Sequence, residues 1–184
     1  MSTTALVPVA EYLRANYEPD REYVEGQLVE RNVGEHLHSR LQLLIAVAFH
    51  ALEARHAVRT GVEHRLRVVS TPGAERFRVP DVCLMPWPAK LEHGVLTTPP
   101  LVVVEVLSPE DRLHEVMQKA GENLQLGAGR VYVADPYDRV LYEATPNGLE
   151  KRPGRKIEVH GIETLDLGHA FEEIGGGSVR SLVP

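Results

Sequence analysis

Two acidic residues interrupt segments that are otherwise apolar. Asp81 lies in Arg78-Val-Pro-Asp-Val-Cys-Leu84, and Glu105 directly follows Leu101-Val-Val-Val104. An ionised carboxylate with apolar neighbours on both sides needs a partner, or its pKa rises until it is neutral. A divalent cation is one such partner. Mg²⁺ favours oxygen ligands and is commonly held by one or two carboxylates, with waters and phosphate oxygens completing the shell. If the two segments are neighbouring strands, Asp81 and Glu105 converge on one ion. The alternative for each acid alone is a strand end in water.

Other residue patterns carry less. His36 and His38 point about 200° apart on a helix, a poor zinc pair. His64, His93 and His114 have no partner at ligand spacing. Gly175-Gly-Gly177 lacks the strand-and-helix context of a phosphate loop. No serine or cysteine nucleophile motif is present, and Cys83 reads as a small core residue. Glu22 is a weaker candidate for a second metal or an ordered water. His36 is a weaker candidate for a phosphate contact or a proton shuttle. Surface decoration is the competing reading for both.

The elements that must position these residues follow from periodicity and turn chemistry. Val9 to Tyr17 predicts a short helix, and Glu22 to Glu30 predicts a hairpin turning at Glu25-Gly26. A long helix is expected from about Gly34 to His56, with Leu37, Leu41, Leu44, Ile45, Ala48 and Leu52 on one face. Val58 to Val69 and Phe77 to Met85 each read as one strand, separated by a turn at Ser70-Thr-Pro-Gly73. Pro86 to Pro100 reads as a loop. Leu101 to Val104 is apolar without alternation, as in a central strand covered on both faces. Ser108-Pro-Glu-Asp111 is expected to start a helix. Leu113, Val116, Met117, Ala120 and Leu124 form its buried stripe, and Gly127 and Gly129 end it. Strands are expected at 130–134, 139–144, 156–159 and 163–167. The order strand, helix, strand at the centre, with hairpins around it, predicts an α/β fold with a mixed sheet flanked by helices.

The 184 residues are expected to form a single domain, 1–184. Apolar residues at 43% and charged residues at 25% exclude a disordered chain. One cysteine and no basic-then-apolar leader lead us to expect a cytoplasmic protein. The longest apolar run, Leu43 to Phe49, is too short to span a membrane. A net charge of −6 predicts weak, salt-sensitive contact with nucleic acid unless basic residues cluster. The segments Arg55 to Arg67 and Lys151 to Lys156 are candidates for such clusters, or simply solvated surface.

Arg78-Val-Pro-Asp81, the strand ending Val104-Glu-Val-Leu-Ser-Pro109, a lysine in the next helix, and Gly127 followed by Val131-Tyr-Val-Ala-Asp-Pro136 together resemble one family. It is the Uma-type restriction endonuclease family, a domain of unknown function in the PD-(D/E)XK nuclease superfamily. Arg21-Glu22, Glu25-Gly26 and His36 fit the same pattern, and the resemblance runs from about Val9 to Leu167. It implies a restriction-endonuclease-like sheet with extra N-terminal hairpin strands. It also implies that Asp81, Glu105 and the backbone carbonyl of Val106 bind Mg²⁺, with Mn²⁺ as a substitute.

The superfamily usually has a lysine two residues after the glutamate, where this chain has Leu107. Lys119 matches the helix lysine of the resembled family. Helix geometry puts Lys119 at the edge of the apolar stripe, with Arg112, Glu115 and Asn123 on the same flank. There it either reaches the end of the Glu105 strand or pairs with Glu115. Asn123 and Glu115 depart from the family pattern. DNA as substrate and a homodimer are further implications of the resemblance. Three functions stay open: a Mg²⁺-dependent DNA endonuclease, a catalytically inactive nuclease-fold binding module, and a metal-dependent hydrolase of small phosphate esters or nucleotides.

Overall fold

A computed structural model describes residues 6–31, 35–69, 71–159 and 161–175. The expected helix start at Gly34, the turn residue Ser70, and Gly176 and Gly177 lie outside those residues. The helices are α1 (Val9–Arg14), α2 (His36–His50), α3 (Leu113–Leu126) and α4 (Gly168–Glu173). The strands of the first half are β1 (Glu22–Val24), β2 (Gln27–Val29), β3 (Val58–Val62), β4 (Leu66–Val69), β5 (Arg76–Arg78) and β6 (Val82–Pro86). Then come β7 (Leu91–Glu92), β8 (Val95–Leu96), β9 (Val102–Val106), β10 (Arg130–Asp135), β11 (Val140–Thr145), β12 (Gly148–Lys151), β13 (Lys156–Val159) and β14 (Glu163–Asp166).

One sheet has the order β12-β11-β10-β9-β6-β3, a second has β2-β1-β5-β4-β8-β7, and β13 and β14 pair as a separate two-stranded sheet. Pairing is parallel between β9 and β10 and antiparallel between β6 and β9, so the first sheet is mixed. The unbroken apolar run of β9 is explained by burial on both faces. Val102, Val104 and Val106 pack with Leu41, Ile45 and Phe49 of α2. Val103 packs on the other side with Ala120 of α3, Leu66 and Leu96. The β1–β2 hairpin turns at Glu25 and Gly26, both at positive φ, as a two-residue turn of this type requires.

Two expected strands are each split between the sheets. Val58 to Val69 bends at Glu63, whose φ is 50°, and divides into β3 and β4. Phe77 to Met85 divides into β5 and β6 at Val79-Pro80-Asp81, because proline has no N–H to continue a ladder. The expected loop 86–100 contains the small β7–β8 hairpin, and α4 was not foreseen. The helix expected at Ser108 begins at Leu113. Asp111 instead folds back and accepts a hydrogen bond from Ser108 N–H at 2.7 Å, closing a turn that competes with helix. The α3 stripe is also narrower than expected: Val116, Ala120 and Asn123 are buried, whereas Leu113 and Met117 are exposed. Among the described residues no helix is long and apolar enough to cross a membrane.

Phe49 is fully buried where α2 meets the central sheet. Phe49→Ala is expected to cost about 3–5 kcal/mol, read from urea unfolding of the two proteins. A loss well under about 1 kcal/mol would contradict this packing.

Candidate functional site

The antiparallel register of β6 and β9 pairs Val82 with Val104 and Cys83 with Val103. One step beyond the last pair, that register sets Asp81 opposite Glu105. The ladder stops at Val82 because the chain arrives from the other sheet through Pro80. The Asp81 side chain takes its place: Val106 N–H donates to Asp81 Oδ2 at 2.7 Å. From α2, Gln42 Nε2 donates to the Asp81 carbonyl at 3.1 Å, fixing the backbone as well. Both acids are nearly enclosed, Asp81 at 5% exposure and Glu105 at 8%. With Arg31, His38, Leu107 and Lys119 they line a cavity of about 30 Å³. That is room for about one water-sized occupant.

The two carboxylates differ in their partners. Asp81 is saturated, since Arg31 Nη2 donates to Oδ1 at 2.6 Å and His38 Nε2 lies 3.4 Å from Oδ2. Glu105 Oε1 is buried and accepts no hydrogen bond from the protein. Burial, with Asp81 beside it, pushes the Glu105 carboxyl up to about 8 against the pull of Lys119 and Arg31. An orphaned, desolvated carboxylate oxygen across from a second acid fits a cation between them. Among the described residues no group of three or more His, Cys, Asp or Glu side chains could hold a metal. A cation here would rest on Asp81, Glu105 and backbone or water oxygens such as the Val106 carbonyl. That donor set suits Mg²⁺ or Mn²⁺ rather than Zn²⁺.

Lys119 enters the cavity from α3, one quarter exposed, with Nζ 3.3 Å from Glu22 Oε2. Its partner is therefore Glu22 rather than Glu115. Burial lowers the ammonium's pKa, but Glu22 and Glu105 outweigh it and the net shift is upward. Lys119 thus stays protonated beside the two acids. Glu22 is fully buried and also accepts from Arg78 Nη1 at 2.7 Å. Arg78 Nε donates to Glu122 Oε2 at 2.6 Å, and Arg76 pairs with both Glu122 and Glu25. This chain of alternating charge commits Glu22 to cations of the protein and fixes Lys119 over the acids.

The structure brings Asp81, Glu105, Val106 and Lys119 together around one cavity and puts Glu22 behind Lys119. His36 is not among them. It is exposed on the outer side of α2, whereas His38 faces Asp81. Spacing contained that signal, because His38 precedes Leu41, Ile45 and Phe49 on the buried stripe. Leu107 lines the cavity at the place of the usual lysine. Asn123 is buried, and its Nδ2 donates to the Lys119 carbonyl at 3.1 Å one turn back along the helix. Cys83 is an inert core thiol, pushed by burial up to about 12. No local sequence pattern marks Arg31, whose partner Asp81 is fifty positions away.

The arginines of the first candidate basic cluster are all paired with acids. Arg55 pairs with Glu163, Arg59 with Glu53, Arg65 with Asp20 and Arg67 with Glu92. In the second cluster Arg152 pairs with Glu143 and Glu158. Beside the cavity runs a groove of about 270 Å³ that shares Lys119 with it and carries Glu30, Asp111 and Glu115.

A mixed sheet with facing acids at the ends of adjacent strands, overlooked by a helix lysine, defines an α/β protein of the restriction-endonuclease-like fold class. Residues 9–174 match the family described as Uma2, putative restriction endonuclease, and the chain belongs to that family. A solved structure from Anabaena variabilis ATCC 29413, described as a putative nuclease belonging to DUF820, has the same fold. Its TM-score is 0.75 at 20% identity, covering 91% of this chain and 99% of that one. No curated protein matches the chain.

The raised Glu105 pKa has a stability consequence. Below the ordinary value of 4.5 the acid is protonated in both folded and unfolded chains. As pH rises the unfolded chain ionises first, so stability of the metal-free protein falls until Glu105 itself ionises near 8. Glu105→Gln removes this loss. In chelator at pH about 9 it is expected to be more stable than the wild type by about 1–3 kcal/mol, with no difference near pH about 4. Thermal melts across that range check it, and a difference independent of pH would contradict it.

Proposed function

We propose that this chain is a divalent-metal-dependent nuclease that hydrolyses phosphodiester bonds of DNA. The observation that carries the proposal is the facing of Asp81 and Glu105 across β6 and β9, with Glu105 Oε1 unsatisfied in a cavity that also holds Lys119 and Arg31. The Uma2 family description and the nuclease title of the Anabaena protein support the same class of reaction.

Asp81 and Glu105 would hold the cation, joined by the Val106 carbonyl. When bound, a Mg²⁺ ion supplies Lewis-acid stabilisation of the developing phosphate charge and a lowered pKa for the attacking water. The Val106 N–H keeps Asp81 aimed at the cavity, and Glu22 holds Lys119 at a point where its ammonium meets a phosphate oxygen. Leu107 makes an apolar wall, which keeps these charges effective by excluding water. The acidic groove beside the cavity favours a second reading, a short phosphate ester as substrate instead of a long duplex.

The test combines binding with turnover. Calorimetric titration of Mn²⁺ is expected to show one site in the wild type and none in Asp81→Asn/Glu105→Gln. DNA cleavage is expected to fall at least about 100-fold in the double variant. Metal binding with hydrolysis of short diesters but not duplexes selects the second reading. A folded wild type that binds no Mn²⁺ and cuts nothing is an inactive module of nuclease fold, and the proposal fails.

A further inference from the structure

Arg31 stands where a cation shared by the two acids would have to compete. Its side chain is only 9% exposed, with Nη2 2.6 Å from Asp81 Oδ1 and Nη1 3.3 Å from Glu63 Oε1. The other Asp81 oxygen is held by the Val106 N–H, a backbone group that cannot leave without breaking the strand. Oδ1 is therefore the Asp81 oxygen whose partner can be exchanged. A dication on Oδ1 and a guanidinium on the same oxygen repel each other strongly in a cavity of about 30 Å³.

The cations around this cavity are not equally free to respond. Lys119 is held by Glu22, and behind it Arg78 is clamped between Glu22 and Glu122. Arg31 alone of these three has a solvent-exposed partner, since Glu63 is 44% exposed. Turning about that contact would take the guanidinium off Asp81 and toward the solvent at Glu63. A guanidinium that has left Asp81 needs another anion, since a charge without a partner is costly away from water. The planar fork of an arginine matches two oxygens of a phosphodiester.

We propose that Arg31 has two positions: it neutralises Asp81 in the metal-free protein, and once a divalent cation takes Asp81 it binds a non-bridging oxygen of the substrate phosphodiester. This deepens the nuclease reading and rests on Asp81 and Glu105 being the metal pair. It makes Arg31 a substrate-binding residue whose release is coupled to metal loading, so metal and arginine oppose each other whereas arginine and phosphate cooperate.

Two titrations of the full chain test it, after thermal melts show that the variants are folded. Mn²⁺ is titrated calorimetrically into the wild type and Arg31→Met. The variant, having lost the competitor, is expected to bind Mn²⁺ about tenfold or more tighter. Dimethyl phosphate is then titrated into both Mn²⁺-saturated proteins, and Arg31→Met is expected to bind it about tenfold or more weaker. A merely structural arginine would not strengthen one ligand and weaken the other. Should Arg31→Met fail to fold, Arg31→Gln keeps one hydrogen-bond donor for Asp81 without the charge and carries the same two expectations. Wild type that binds Mn²⁺ with a variant that binds it equally or more weakly overturns the Arg31 proposal and leaves the metal site standing. Equal affinity of the two loaded proteins for dimethyl phosphate overturns the second position. Absence of Mn²⁺ binding in both overturns the metal pair itself, and the Arg31 proposal with it.

Discussion

Two carboxylates set at facing positions of adjacent strands, away from water, cannot both ionise unless positive charge is brought to them. Much of the surrounding structure answers that constraint. Asp81 receives the Val106 N–H and the Arg31 guanidinium. Glu105 receives only the through-space pull of Lys119 and Arg31, and its pKa stays high. Lys119 in turn requires Glu22, Glu22 requires Arg78, and Arg78 requires Glu122. Removing one member of such a network leaves its neighbour buried and unpaired, which costs more than the pair contributes.

The second sheet gains its meaning from this network. β1 supplies Glu22 and β5 supplies Arg78, and both reach across to α3 on the central sheet. The chain must leave one sheet and enter the other within Val79-Pro80-Asp81, and that crossing puts Asp81 at the open end of β6. Close approach is needed on the far side too. A Cβ at Gly61 of β3 would lie 2.8 Å from Cys83 Sγ, so only glycine lets β3 pair with β6 at this height. Arg55, Arg59, Arg65, Arg67 and Arg152 are committed to acids, whereas Arg155 Nε donates to the Arg139 carbonyl.

Legibility from sequence follows the range of the interactions. Asp81 and Glu105 were visible because each breaks an apolar run, and Lys119 because a helix has a computable edge. Arg31 was not visible: its partner is fifty positions away, and no local pattern marks it. Local rules also misled. Ser108-Pro109 looks like a helix cap until Asp111 folds back onto Ser108. Val58 to Val69 and Phe77 to Met85 have strand composition throughout, and only the bend at Glu63 and the missing amide of Pro80 divide them. His36 and His38 lie about 200° apart on the helix, and the buried stripe of Leu41, Ile45 and Phe49 decides for His38. Glu22, a weaker candidate for a second metal or an ordered water from sequence, is buried with its oxygens on Arg78 and Lys119.

The central claim is that the buried acid pair exists to hold a divalent cation. Anomalous diffraction from crystals of the wild-type protein grown with Mn²⁺ tests it most directly. The account predicts one strong peak within about 2.3 Å of oxygens of both Asp81 and Glu105, with the Arg31 guanidinium no longer on Asp81. No peak between the two acids, with Arg31 still bound to Asp81 Oδ1, would contradict it.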